Sequence, residues 1–412
     1  MSDGVVSVSD ATREQLSRAD EHSAHNYSPL PVVIESGAGS WVKGIDGVDY
    51  LDVLAGYSAL NFGHAHPTLV RVASEQLGRL TLTSRAFQHD RFASFCEDLS
   101  RLCRKEAVLP MNTGAEAVET ALKLARKWGY DVKGVPPGHA EVITCAGNFH
   151  GRTISIVGFS SDPDAYTGFG PFPPGFASVE YGNADAFEAA ITENTVAVLL
   201  EPIQGEAGVL VPPPGYLTAV RDICTRRGIL MIADEIQSGL GRTGDTFACD
   251  HENVTPDVYV LGKALGGGGL MPVSAVVADW PVMAVIGPPG QHGSTFGGAT
   301  PPSPARSGAR SSTCSRPANI SSEAVSWAPT CTACCRNCPP DHVSEVRGRG
   351  LWAGVQLADG MPSARTICER LLARRVLAKD AHEGTIRIAP PLVIERDELT
   401  WAVEQLADAL AE

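Results

Sequence analysis

Five short apolar runs punctuate the middle of this chain: VITC (142–145), VAVLL (196–200), ILMIA (229–233), VYVL (258–261) and SAVV (274–277). None alternates apolar with polar residues, so neither face of these segments can be left in water. Continuous, β-branched runs of this length are what parallel strands need when helices cover both sides of a sheet. The stretches between them supply such helices. PGYLTAVRDICTRR (214–227), stopped by Gly228, is one of them. The alternation predicts an α/β domain on a mainly parallel sheet.

The remainder of the 412 residues arranges itself around that domain. Residues 1–50 read as an N-terminal segment packing with a smaller domain, and 51–298 as the large α/β domain. Residues 339–412 read as a small α+β domain, with short strands near 351–357 and 385–388 and helices near 362–375 and 396–411. Residues 299–338 fit neither part: they lack both periods and are rich in Ser, Pro, Arg and Cys.

Charge narrows the function. The 33 Lys and Arg stand against 47 Asp and Glu, a net charge of −14, the wrong sign for nucleic acid or an anionic membrane as partner. The opening MSDGVVSVSDATREQ has neither the basic nor the apolar stretch of an export signal, and no apolar run is long enough for a bilayer. The expectation is a cytoplasmic protein with reduced thiols, acting on small molecules.

In open α/β sheets, ligands bind beyond the carboxyl ends of the strands. There VITC is followed by Phe149, His150 and Arg152, VAVLL by Glu201 and Glu206, ILMIA by Asp234, Glu235 and Gln237, and VYVL by Lys263. Taken singly, each is more often a cap or a solvated charge. Four strand ends converging on one edge favour a site. MNTGAEAVETALKLARKWG (111–129) adds a helix with an apolar face of Val118, Ala121, Leu122, Ala125 and Trp128, stopped at Gly129. Thr113 and Glu116 have capping-box spacing, and Gly114 keeps the first N–H groups approachable. The helix start therefore reads either as a plain cap or as a phosphate cradle. A phosphate, an acid near a ring nitrogen and a lysine together fit pyridoxal phosphate, whose aldehyde forms a Schiff base with a lysine amine.

With YSALNFGHAHP, MNTGAEAVETALKLARKWGY, GFGPFPPGF, EPIQGEAGV, ADEIQSGLGRTG, LGKALGGG and RIAPPLVI in this order, the chain resembles the class III, fold type I aminotransferases. Within them it is most similar to the enzymes that take ornithine. The resemblance runs from about residue 25 to 298 and resumes at 339. It implies a pyridoxal 5'-phosphate enzyme passing the δ-amino group of ornithine to 2-oxoglutarate, with acetylornithine or 4-aminobutyrate as alternative donors. Lys263 is then the Schiff-base lysine and proton shuttle, Asp234 the partner of the pyridinium nitrogen, and Gln237 a neighbour of the phenolic oxygen. Gly114 and Ala115 offer N–H groups to the phosphate, Phe149 stacks on the ring, and Thr295 reaches the phosphate from the neighbouring subunit of a homodimer. Substrate choice falls to Tyr27, Tyr57, Arg152, Glu206 and Arg387. Arg152 would hold the ornithine α-carboxylate, and Arg387 would serve 2-oxoglutarate, neutralised by Glu206 while ornithine is bound.

The chain departs from the family pattern in two places. The glycine run after Lys263 (GGGGLMP) looks one residue longer, and from Ala299 the pattern gives way to a segment holding five of the eleven cysteines, ending in CTACCRNC (331–338). Cys-x-x-Cys pairs are a zinc spacing. Yet with G/C-rich codons, TGC ACC GCC TGC TGC CGG AAC TGC read one base earlier after a C encodes Leu-His-Arg-Leu-Leu-Pro-Glu-Leu, a helical pattern. The reading adopted is a displaced frame across 299–338, ahead of a zinc knuckle or a disordered insert. That segment also leaves open an inactive or poorly folded product.

Overall fold

The computed structural model describes residues 8–287, 289–298, Cys335, Cys338, Pro339, 341–382 and 384–412. Apart from Cys335 and Cys338, the frame-displaced reading of 299–338 lies outside the described residues. The N-terminal strands β1 (Ile34–Ala38), β2 (Trp41–Gly44) and β3 (Asp49–Asp52) form an antiparallel ribbon. The central sheet holds β4 (Ala107–Met111), β5 (Glu141–Cys145), β6 (Phe176–Val179), β7 (Thr195–Leu200), β8 (Leu230–Asp234), β9 (Val258–Leu261) and β10 (Ser274–Ala278). Their spatial order is β4-β10-β9-β8-β7-β5-β6. All five apolar runs are strands of this sheet, within a residue or so.

SAVV departs from the parallel expectation: β10 runs antiparallel to both β9 and β4. Between β9 and β10 lie only the short 3-10 turn at Lys263 and the Gly-rich stretch, with no α-helix to carry the chain back across the sheet, so the chain turns and returns. The other neighbours pair in parallel. Strands β4 and β6 carry weaker patterns; β6 is a half-exposed edge strand.

Both faces of the sheet are covered. Helix Gly114–Trp128 packs Val118, Ala121, Leu122 and Ala125 on one face, and helix Tyr216–Arg227 packs Leu217, Val220 and Cys224 on the other. Each fully buried Leu or Val stabilises the fold by roughly 1.5–3 kcal/mol. Gly129 does not stop its helix. Its backbone stays right-handed and continues into the π-helical turn Gly129–Lys133, which ends at Gly134 with φ +82°. Glycine is required at 129 because a Cβ there would lie 2.2 Å from Val196 Cγ1.

In the C-terminal part, β11 (Val343–Gly348), β12 (Ala353–Leu357), β14 (Lys379–Ala381) and β15 (Thr385–Ile388) make a second, antiparallel sheet, while β13 (Val376–Leu377) joins β3 in parallel. Strand β11 lacks an apolar run and was not evident from the sequence. Helices Ala364–Ala373 and Arg396–Ala411 cover this part. The N-terminal segment is tied to it: Arg365 donates to the carbonyls of Ser28 and Pro29, and the Trp41 and Trp401 rings lie 5.7 Å apart. Arg242, fully buried, donates to the Leu351 and Pro390 carbonyls and to Asn61 Oδ1, joining the large sheet to the C-terminal part.

Candidate active site

Because β4, β5, β7, β8 and β9 point the same way, their carboxyl ends bring five loops to one edge. Asp234, the last residue of β8, is buried. Its Oδ2 accepts a 2.6 Å hydrogen bond from His150 Nδ1, and its Oδ1 accepts from the Ile236 N–H. Burial alone would lower the His150 imidazole, but the hydrogen bond and charge of Asp234 outweigh it and raise its pKa. Two hydrogen bonds thus fix the Asp234 carboxyl in orientation, as a partner for a ring N–H needs.

Beside this pair, Glu201 follows β7 and accepts the Phe149 N–H at 3.0 Å. Burial pushes its carboxyl up to about 7, and the nearby Asp234 charge adds to the rise while His150 opposes it. Glu235, by contrast, belongs to the scaffold: its carboxylate takes the N–H groups of Ala248 and Cys249 at 3.0 and 2.8 Å.

Lys263 begins the short 3-10 turn Lys263–Gly266 after β9 with φ +46°, a backbone conformation that non-glycine residues rarely adopt. Gly267, Gly268 and Gly269 follow at φ +70°, +71° and +81°. Three successive left-handed residues account for the long glycine run. Burial pushes the Lys263 amine down to about 8, with the Glu206 charge opposing and Arg387 reinforcing the fall. An amine so placed is neutral in a useful fraction near neutrality and can act as nucleophile or base.

Helix Gly114–Trp128 starts with the capping box read from its sequence: Thr113 Oγ1 accepts from the Glu116 N–H, and Glu116 accepts from the Thr113 N–H at 2.7 Å. Glu116 is held below its usual range by those bonds, though burial opposes them. The cap leaves the Gly114 and Ala115 N–H groups for an anion. A Cβ on Gly114 would lie 3.0 Å from Ile236 Cδ1, so the approach is as close as glycine allows.

On the far side stands Arg387, in the middle of β15 and only 1% exposed. It makes a two-pronged pair with Glu206, Nη1 to Oε1 at 2.8 Å and Nη2 to Oε2 at 3.0 Å. Its guanidinium lies 5.2 Å from the centre of the Tyr57 ring. Arg387, followed by Lys263, holds Glu206 below its usual range against the opposing effect of burial. Phe149 and Arg152 stand exposed, with the Arg152 guanidinium 5.5 Å from the Phe149 ring. Tyr27 and Thr295 are exposed, and Gln237 is buried with its Nε2 lacking a hydrogen-bond partner among the described residues.

These groups suit pyridoxal phosphate. There is an open helix start for phosphate, a buried and hydrogen-bonded carboxyl for the ring nitrogen, an unpaired amide donor in Gln237, and a buried amine of lowered basicity for the aldehyde. Sequence reading named His150 and Glu201 but gave them no role, because neither residue type at a strand end announces its partner.

Comparison with known proteins agrees. The family model for class-III aminotransferases matches residues 22–410. The ornithine aminotransferase of Bordetella pertussis is 52% identical over 392 residues, covering 95% of this chain and 94% of that one. A crystal structure of the Toxoplasma gondii ornithine aminotransferase superposes with a TM-score of 0.90 at 38% identity, covering 97% of this chain and 95% of that one. The acetylornithine aminotransferase of Elizabethkingia anophelis gives 0.84 at 41% identity, over 97% and 99%. Matched in sequence and in fold along nearly its whole length, this chain belongs to the class-III aminotransferases, pyridoxal-phosphate enzymes of fold type I.

Proposed function

We propose that this chain is an ornithine 5-aminotransferase, passing the δ-amino group of ornithine to 2-oxoglutarate to give glutamate 5-semialdehyde and glutamate. One observation carries the reading beyond the family: the Glu206–Arg387 pair near the Lys263 amine. A site that must admit a cationic amine end and later a dianionic oxo acid needs an arginine that can be masked. Closed, the pair presents no net charge to ornithine. Arg387 is anchored, at 1% side-chain exposure, whereas Glu206 keeps 27%. Glu206 is therefore the member that yields when a substrate carboxylate competes for the guanidinium.

The other residues take the remaining tasks. Gly114 and Ala115 would bind the phosphate through backbone N–H groups, Phe149 would stack on the ring, Gln237 would donate to the ring oxygen, and Asp234, steadied by His150, would pair with the ring nitrogen. Bound there, pyridoxal phosphate supplies an aldehyde that condenses with amines and a ring that withdraws electrons. Lys263 holds the cofactor and moves the proton at the reacting carbon. Arg152 takes the ornithine α-carboxylate, with Tyr27 and Tyr57 as walls, so that the distal amine reaches the reacting carbon.

We further propose a homodimer, in which Thr295 of each chain completes the phosphate site of the other, and a cytoplasmic address. No described helix is long and apolar enough to cross a membrane. For the domains, we propose that 51–298 binds the cofactor while 1–50 and 339–412 form the smaller unit that carries Arg387. Acetylornithine is the second reading for the donor, favoured by the 41% identity to a solved acetylornithine aminotransferase. The test is turnover of the purified protein with 2-oxoglutarate and, in parallel, ornithine, acetylornithine or 4-aminobutyrate. Ornithine leads if the proposal holds, and a preference for acetylornithine overturns it.

A further inference from the structure

Four consecutive residues, Ala55, Gly56, Tyr57 and Ser58, all have positive φ: 49°, 55°, 58° and 72°. Gly56 and Tyr57 also have ψ of 40° and 44°, so the chain makes a turn of left-handed helix. Only one of the four is glycine. For an L-residue, this conformation costs roughly 1–2 kcal/mol. Such a run persists only where its surroundings over-determine it.

The surroundings are on hand. At the entry, Asp52 Oδ1 accepts the N–H groups of Leu54 and Ala55 at 2.8 and 2.9 Å, and its Oδ2 is paired with His64 Nε2 at 2.8 Å. Val53 donates to the Leu377 carbonyl and accepts from the Ala389 N–H, two residues beyond Arg387. At the exit, Leu60 donates to the Ala55 carbonyl, while Asn61 accepts from Leu392 through its carbonyl and from Arg242 through its side chain. The turn is thus clamped to the same backbone that carries Arg387, and its apex residue, Tyr57, lays its ring against the Arg387 guanidinium.

We propose that the left-handed turn Ala55–Ser58, braced by the Asp52–His64 pair, is a positioning element that fixes Tyr57 against Arg387 and so sets donor preference. This rests on the ornithine reading of the site. A right-handed turn would carry the Tyr57 side chain away from Arg387. A loosened turn would let the ring rotate off the guanidinium and blur the wall that separates ornithine from donors with a distal carboxylate.

Three variants test it, each measured as the ratio of kcat/KM for ornithine to that for 4-aminobutyrate, with melting temperature followed in parallel. Ala55→Gly relieves the strained φ and frees the turn. The ratio should fall on the order of tenfold, through KM more than kcat, with the melting temperature held within a few degrees. His64→Ala should lower the ratio similarly, and His64→Gln, which keeps an N–H within reach of Asp52, should recover part of it. An unchanged ratio in Ala55→Gly and His64→Ala overturns the proposal, as does a fall in kcat alone that tracks lost melting temperature. If the wild type ignores ornithine but turns over another donor, the functional reading fails, and the turn is then judged on that donor's ratio.

Discussion

The two sheets equip the site in opposite ways. The central sheet delivers Asp234, Lys263, His150 and Glu201 at or just past strand ends, where backbone pairing stops and side chains meet loops. The C-terminal sheet delivers Arg387 from mid-strand, with β12 on one side (Gly354 opposite Arg387) and β14 on the other (Lys379 opposite Arg387). Strand ends allow shifted protonation and unusual backbone, as with Lys263 at φ +46° and an amine at about 8. A mid-strand position gives an immobile charge. On the proposed function, the central sheet supplies the reactive groups together with Glu206, and the C-terminal sheet supplies the fixed cation that Glu206 masks.

The largest effect that could break this division is at Lys263. Lys263→Ala should lower transamination by at least about 10³-fold and remove the visible absorbance of lysine-bound cofactor. Single-turnover assays with cofactor added check it, and retained turnover would move the reactive group elsewhere. Next comes the recognition side. Glu206→Ala leaves Arg387 unmasked, so 4-aminobutyrate or α-amino acid donors should gain on ornithine by about tenfold, the scale of one charge-assisted contact. An unmoved donor ratio would show that Arg387 is not acting as a masked carboxylate site.

The same contrast explains what the sequence could tell. The central sheet was legible because strands covered on both faces must be continuously apolar, and the rule about carboxyl ends then pointed to Asp234 and Lys263. The antiparallel course of β10 was not legible, since a buried strand has the same composition in either direction. Arg387 sits in TIRI, a short run that would pass for any strand, and only resemblance to a family singled it out. The Asp52–His64 brace and the His150–Asp234 pair join residues 12 and 84 positions apart, beyond the reach of local pattern.

A smaller effect sharpens the link between the sheets. The Lys263 amine falls to about 8 through burial, with Glu206 opposing and Arg387 reinforcing the fall. Cofactor uptake by the apo-enzyme needs the neutral amine, so its rate should climb with pH through a limb near 8. Glu206→Gln removes the charge that favours the ammonium form and leaves Arg387 uncompensated. Both changes stabilise the neutral amine, and the limb should move to lower pH. Stopped-flow absorbance of uptake from pH 6.5 to 9.5 checks this, and a limb that stays in place would uncouple the recognition pair from the reactive lysine.

The smallest effect lies in the C-terminal core, where no strand-end chemistry intrudes. Cys335 and Cys338 are buried at 0% and 6% exposure in the cluster that holds Leu51, Val53, Leu351 and Leu406. Burial raises the Cys338 thiol above its ordinary pKa, the opposite of what a metal-bound thiolate requires. No group of His, Cys, Asp or Glu among the described residues is arranged to hold a metal. On the displaced-frame reading both positions become leucine, and both lie where a leucine would be covered. Cys338→Leu should therefore be tolerated and stabilising by about 1 kcal/mol, from roughly 0.8 kcal/mol per added buried methylene less some repacking strain. For a protein of this size that is a rise of about 1 °C in melting temperature. Zinc should leave the melting temperature of the parent chain unchanged. A zinc-dependent rise that Cys338→Leu abolishes would show instead that the cysteines are metal ligands and that the frame is intact, a result that sequencing the coding DNA would confirm independently.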